Sequence, residues 1–188
     1  MSFFGTIRAL VTGDTPRPLR ADLSTHTLQT ISYEHHEVHA GSHFFYTDCV
    51  SVDSGASQSY MVTTPDTTKW AHFVFDIDGL GVTEILIYEA GDRVGTATQS
   101  VFNSDRNSAT VNTTIIHKGY SGGTTDGTLI YCYKSGSATN QTRTSSQATH
   151  NEEIILKQNT KYLIVIASTT NGNLINCHLS WYEHTNRS

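Results

Sequence analysis

The sequence predicts an all-β protein, an antiparallel, jelly-roll-like β-sandwich with an extended N-terminal arm. Three observations carry that prediction. In the last third, Glu152–Lys157, Lys161–Ala167 and Leu174–His184 are strand-like runs. In the last of them Ile175, Cys177, Leu179 and Trp181 share one face while Asn176, His178, Ser180 and Tyr182 share the other. Seven more such runs precede these, separated by turn residues, and none has a helical period. The composition agrees: 37% of residues are apolar and only 15% charged, with Thr, Ser, Asn and Gly filling the gap, as short strands with uncharged polar loops require.

Taken in order, residues 1–30 read as the arm. Thr12-Gly13-Asp14-Thr15-Pro16-Arg17-Pro18 breaks both periodicities. Phe3, Phe4, Ile7, Leu10 and Val11 are too apolar for a freely solvated tail, so the segment is expected to pack on the body or on a second chain. Phe3, Phe4, Ile7, Arg8, Leu10, Arg17 and Arg20 are its candidate partner-binding residues. Residues 31–188 read as one sandwich domain, a size that suits a single core.

Its strands are expected at Ile31–Val38, His43–Val52, Ser57–Thr63, Lys69–Ile77, Glu84–Glu89, Val111–His117 and Thr128–Lys134, then the three named above. Ala71, Phe73, Phe75 and Ile77 alternate with Trp70, His72, Val74 and Asp76. Leu129, Tyr131 and Tyr133 alternate with Ile130 and Cys132. Tyr162–Ile166 is apolar on both faces and therefore central in its sheet. Ser54-Gly55, Pro65-Asp66, Asp78-Gly79, Gly122-Gly123 and Asn171-Gly172 mark turns. Gly91–Thr110 and Ser135–Asn151 are long polar stretches that read as either functional surface loops or locally mobile segments. Short strands without helical crossovers fit a sandwich, a jelly roll or a closed barrel. The strand order stays open.

The formal charge of −5 makes nucleic acid an unfavourable partner. No apolar run approaches the roughly 18 residues of a membrane helix, and Met1–Arg8 does not read as a signal peptide. The N-x-S/T triplets at Asn112 and Asn140 then carry little weight. Cys49, Cys132 and Cys177 are odd in number, far apart and free of CxxC spacing, so they read as buried free thiols of a protein folded in a reducing cytoplasm.

Candidate chemistry is sparse. Glu34–His43 holds four histidines and two carboxylates. On a strand, His35, Glu37 and His39 would project to one side as a ligand set for zinc, nickel or non-haem iron, but the spacing matches neither HExxH nor the HxH of metal cupins. A polar strand face is the preferred reading, with no metal and no cofactor. Asp76-Ile77-Asp78-Gly79 lacks the remaining ligands of a calcium loop and reads as a turn. Glu152-Glu153 reads as solvated charge, Gly119–Gly123 as a turn rather than a phosphate loop, and no GxSxG or triad spacing is present. An enzyme is therefore not expected.

Leu28–Phe44, Thr64–His72, Ile154–Leu163 and Ser180–His184 together resemble a family of small structural proteins of tailed bacteriophages, similar to head-decoration (cement) proteins. The resemblance spans about residues 25–184. It implies a homo-oligomer, most simply a homotrimer, made in the host cytoplasm and seated on the capsid exterior. There it would clamp the major capsid protein lattice without catalytic residues. A receptor- or glycan-binding module of a tail fibre or tailspike is the competing class, and a cupin-like metal enzyme the third.

Overall fold

The computed structural model describes residues 8–9, 17–18, 32–136, 146–149 and 153–185. The chain divides into two compact units, Met1–His36 and Glu37–Ser188. In the first, β1 (Arg8–Ala9) and β2 (Arg17–Pro18) pair antiparallel. The rest of the expected arm lies outside the described residues, and with it Phe3, Phe4, Ile7, Leu10, Val11 and Arg20, as do Asn140 and Glu152.

After the helix α1 (Tyr33–His39) come β3 (His43–Val52), β4 (Ser57–Thr63), β5 (Lys69–Gly79), β6 (Thr83–Ala90), β7 (Val94–Thr98) and β8 (Phe102–Asn103). They are followed by β9 (Ile115–Ser121), β10 (Gly127–Ser135), β11 (Ser146–Thr149), β12 (Ile154–Ile155), β13 (Lys161–Ser168) and β14 (Asn173–Thr185). Two antiparallel sheets face each other. One runs β10-β6-β13-β4-β9-β7, and the other β11-β5-β14-β3-β8 with β12 also on β5. The fold is thus an all-β sandwich, and β13 is central in its sheet, as its two-sided apolar sequence requires.

β14 holds the second sheet together. Asn173–Tyr182 pairs with Val52–His43 on one side and Ile175–Thr185 with Gly79–Lys69 on the other. Its inward side chains Ile175, Cys177, Leu179 and Trp181 are all buried. They meet Phe44 and Tyr46 of β3 and Ala71, Phe73, Phe75 and Ile77 of β5 in a core shared with Tyr60, Ile85, Ile87, Ile116, Ile164 and Ile166 of the facing sheet. Trp181 is the largest fully buried side chain, with ring centroids 6.2 Å from Phe44 and 6.3 Å from Phe73.

Several expectations are corrected. Of the expected strand Ile31–Val38, residues 33–38 lie in α1 instead. Ser32 starts it, its hydroxyl accepting from the His35 amide (3.4 Å) and its carbonyl from the His36 amide (3.0 Å). Gly41 ends it at φ +69°, with the Gly41 amide on Val38 O and the Ser42 amide on Glu37 O, the Schellman closure that favours glycine. Val111–His117 begins as a strand only at Ile115, because Asn112, Thr113 and Thr114 are held by side-chain bonds instead. Glu152–Lys157 contracts to Ile154–Ile155.

The Asp78-Gly79 turn lies inside β5, and the chain reverses after it. β7, β8 and β11 fall in stretches read as loops. In β10 the register slips between Leu129 and Tyr131, so Ile130 is a bulge that breaks the expected alternation. Cys49 and Cys132 are exposed, and only Cys177 is buried.

Trp181→Ala is expected to lower unfolding stability by about 3–5 kcal/mol. Leu174→Ala, on the outward face of the same strand, should change it by less than about 0.5 kcal/mol. Urea denaturation of the two variants checks this, and equal losses would contradict the assignment of faces.

Candidate functional site

The outward face of the β14 sheet concentrates imidazoles. Register places His72 beside Tyr182, Tyr182 beside His43, His184 beside Trp70, and His178 beside Asp76. The His72 ring stacks on Tyr182 (4.6 Å) and on His184 (4.3 Å). Glu153 bonds both His72 Nδ1 and the Tyr182 hydroxyl. His43 Nδ1 contacts Ser104 Oγ at 2.6 Å.

A carboxylate that orients an imidazole is half of a general-base pair, but the free nitrogen must reach a substrate. His72 is 6% exposed, and its Nε2 is buried without a hydrogen-bond partner. The cluster therefore ties β12 to β5 and β14 rather than presenting a base. Glu153, read as solvated charge, is engaged here because β12 pairs Ile155 with His72.

The weak metal candidates are corrected by the helix. Residues two apart on a helix point to opposite sides, so His35 and His39 are exposed while Glu37 turns inward to 5% exposure. The Glu37 carboxylate accepts the Ser42 hydroxyl. Among the described residues no group of three or more His, Cys, Asp or Glu side chains could hold a metal ion. Asp76 and Asp78 lie on β5, where they form no calcium loop.

Two further carboxylates are structural anchors that no local spacing announces. Glu183 is 3% exposed. It accepts from the Thr113 amide (2.9 and 3.0 Å), the Thr113 hydroxyl (2.6 Å), the Thr114 amide (2.8 Å) and Trp181 Nε1 (3.0 Å). It pins the chain entering β9 to the central strand of the opposite sheet. Asp48, on the inward face of β3, accepts the Tyr60 hydroxyl at 2.8 Å and pairs with Lys118 Nζ at 2.5 Å, bridging the two sheets.

Burial pushes the Asp48 pKa up, but the bonds from Lys118 and Tyr60 outweigh it and leave it below the ordinary aspartate value. Burial, with the Asp48 charge nearby, pushes the Cys177 thiol up, so that sulfur is an inert core atom.

A concave site lies elsewhere on the sandwich. Residues 101–112, the connection from β8 toward β9, line a cleft of about 290 Å³ floored by Phe44. Asn103 builds it: its Nδ2 donates to Gly41 O (2.8 Å) and Thr110 O (3.3 Å), and its Oδ1 accepts the Asp105 amide (2.9 Å). Asp105 Oδ1 in turn accepts the Asn107 amide (3.0 Å), and Ser108 Oγ the Thr110 amide (3.2 Å). At the mouth the Arg106 guanidinium lies over the Phe102 ring, 5.0 Å from its centroid. No sequence motif marks this cleft, because its parts come from a polar stretch without periodicity.

No family model matches the chain, and no characterised protein or solved structure is significantly similar to it. Among the described residues no helix is long and apolar enough to cross a membrane.

The folded Asp48 pKa lies below the unfolded value of about 3.9. Its contribution is therefore present above about pH 4 and lost as pH falls through the folded value. Asp48→Asn should be less stable than the parent at neutral pH, with the gap closing as the medium becomes more acid. Melting temperatures across that range check it. Glu183→Gln should cost about 1–3 kcal/mol by turning an NH₂ against buried donors, with faster amide exchange at Thr113 and Thr114.

Proposed function

We propose that the protein is a non-enzymatic structural component of a tailed-phage virion, a decoration protein on the outside of the head that stabilises the major capsid protein lattice as a homo-oligomer, most simply a homotrimer. The observation that carries this reading is the strand order. With β11 and β12 counted as one and β7 to β9 as an insertion, the eight remaining strands are β3, β4, β5, β6, β10, β11/β12, β13 and β14. One sheet then reads first-eighth-third-sixth and the other second-seventh-fourth-fifth. We read this order as a jelly-roll winding, an architecture recurrent in viral shell proteins and in lectins.

Fold alone leaves function open, so the side chains matter. The interior that a cupin-type enzyme would use for its metal is filled by Trp181, Phe44, Phe73 and Phe75. Glu153, Glu183 and Asp48 are spent on internal bonds. Neither tryptophan offers an exposed stacking platform: Trp181 is fully buried and Trp70 partly buried, which weighs against a stacking glycan module. In this reading residues 1–30 are the arm that would reach a partner. Phe3, Phe4, Ile7, Arg8, Leu10, Arg17 and Arg20 are the residues it would use.

A cement protein stabilises a shell in proportion to how much more tightly it binds the intact lattice. Heating particles with and without this protein and following DNA release measures that coupling. A higher release temperature at full occupancy is expected, and equal temperatures would overturn the reading. Chain lacking residues 2–24 should still fold, by circular dichroism, but fail to join particles.

A further inference from the structure

We propose that the cleft formed by residues 101–112 binds an acidic saccharide, one uronate or sialate ring, through Arg106. The cation comes first. Arg106 is held over the Phe102 ring at 5.0 Å and makes no ion pair with any described residue, Asp105 included. A guanidinium fixed on an aromatic face, with its forked donors unspent, is built to receive a carboxylate in two parallel bonds. Because the guanidinium already covers the Phe102 face, the ligand is recognised by charge and hydrogen bonds rather than by stacking.

The rest of the lining selects a polyol. Asp105 uses only Oδ1 within the protein, leaving Oδ2 to accept a hydroxyl. Asn112 donates through Nδ2 to Thr114 O (2.7 Å) and keeps its Oδ1 acceptor. Ser108 accepts through Oγ and keeps its O–H to donate. Val111, 74% exposed at the rim, offers an apolar contact to a ring's C–H face.

A sugar ring bearing one carboxylate and several hydroxyls satisfies all of these. An acidic peptide would bring further carboxylates against the Asp105 charge. The volume of about 290 Å³ lies at the small end of ligand pockets, which start at roughly 300 Å³, and suits one ring. Binding here is independent of where in a virion the protein sits.

The test is a titration of ¹⁵N-labelled full-length protein, followed by amide shifts, with four probes: glucuronate, N-acetylneuraminate, glucose and triglutamate. Saturable shifts at Phe102, Asp105, Arg106 and Val111 are expected with at least one of the acid sugars in the millimolar range, and none with glucose. Arg106→Gln should weaken that binding by roughly tenfold or more, and Arg106→Lys by less, both keeping the parent's spectral dispersion. Four outcomes would overturn the proposal: equal response to glucose, tighter binding of triglutamate, no saturable shift with either acid sugar, or unchanged affinity in Arg106→Gln.

Discussion

The sandwich depends on the last strand entering between the first and third strands of its body. β14 has β3 along one side and β5 along the other, each pairing extending over most of its length. The β14 sheet therefore cannot be complete until the C-terminal segment has arrived. Such contacts pay the loop-closure entropy of nearly the whole body before any return, so topologies of this kind fold slowly. Trp181 explains why the insertion is favourable. It carries the largest fully buried side chain into a space walled by Phe44 and Phe73, and its indole N–H is satisfied by Glu183 two residues on.

Three carboxylates fasten this frame. Glu183 reaches across to the chain before β9, Asp48 to Lys118 and Tyr60, and Glu153 to His72 and Tyr182. Each carboxylate makes at least one bond that joins different strands or loops, 70 residues apart between Glu183 and Thr113. A buried carboxylate is tolerated only when its oxygens are met by donors, which is the case for Glu183. The same satisfaction removes these groups from chemistry, since an oxygen held by several protein donors has little left for a substrate.

Most of the body was legible from alternation. The limits of β3 and β4 follow from where the pattern starts and stops, and the inward set of β14 was evident because polar residues stand between its members. α1 was not, because seven residues rich in His and Glu carry no apolar stripe; its signals were the Ser32 start and the Gly41 stop. The Ile130 bulge hides in a run apolar at every position. The exposure of Cys49 and Cys132 could not be read, since a small side chain suits either face of a strand. The site was harder still. The partners of Glu153, Glu183 and Asp48 are set by how distant segments meet in the folded sandwich, and the Arg106 cleft belongs to a stretch whose composition resembles any surface loop.

A filled sandwich body and carboxylates used as fasteners accord with the proposed role of a protein that works by occupying a surface. Electron cryo-microscopy of particles carrying this chain tests that most directly. Density for the sandwich on the outer face of the head, contacting the major capsid protein around local three-fold positions, is the predicted result. Density confined to the tail, with a bare head surface, would contradict it.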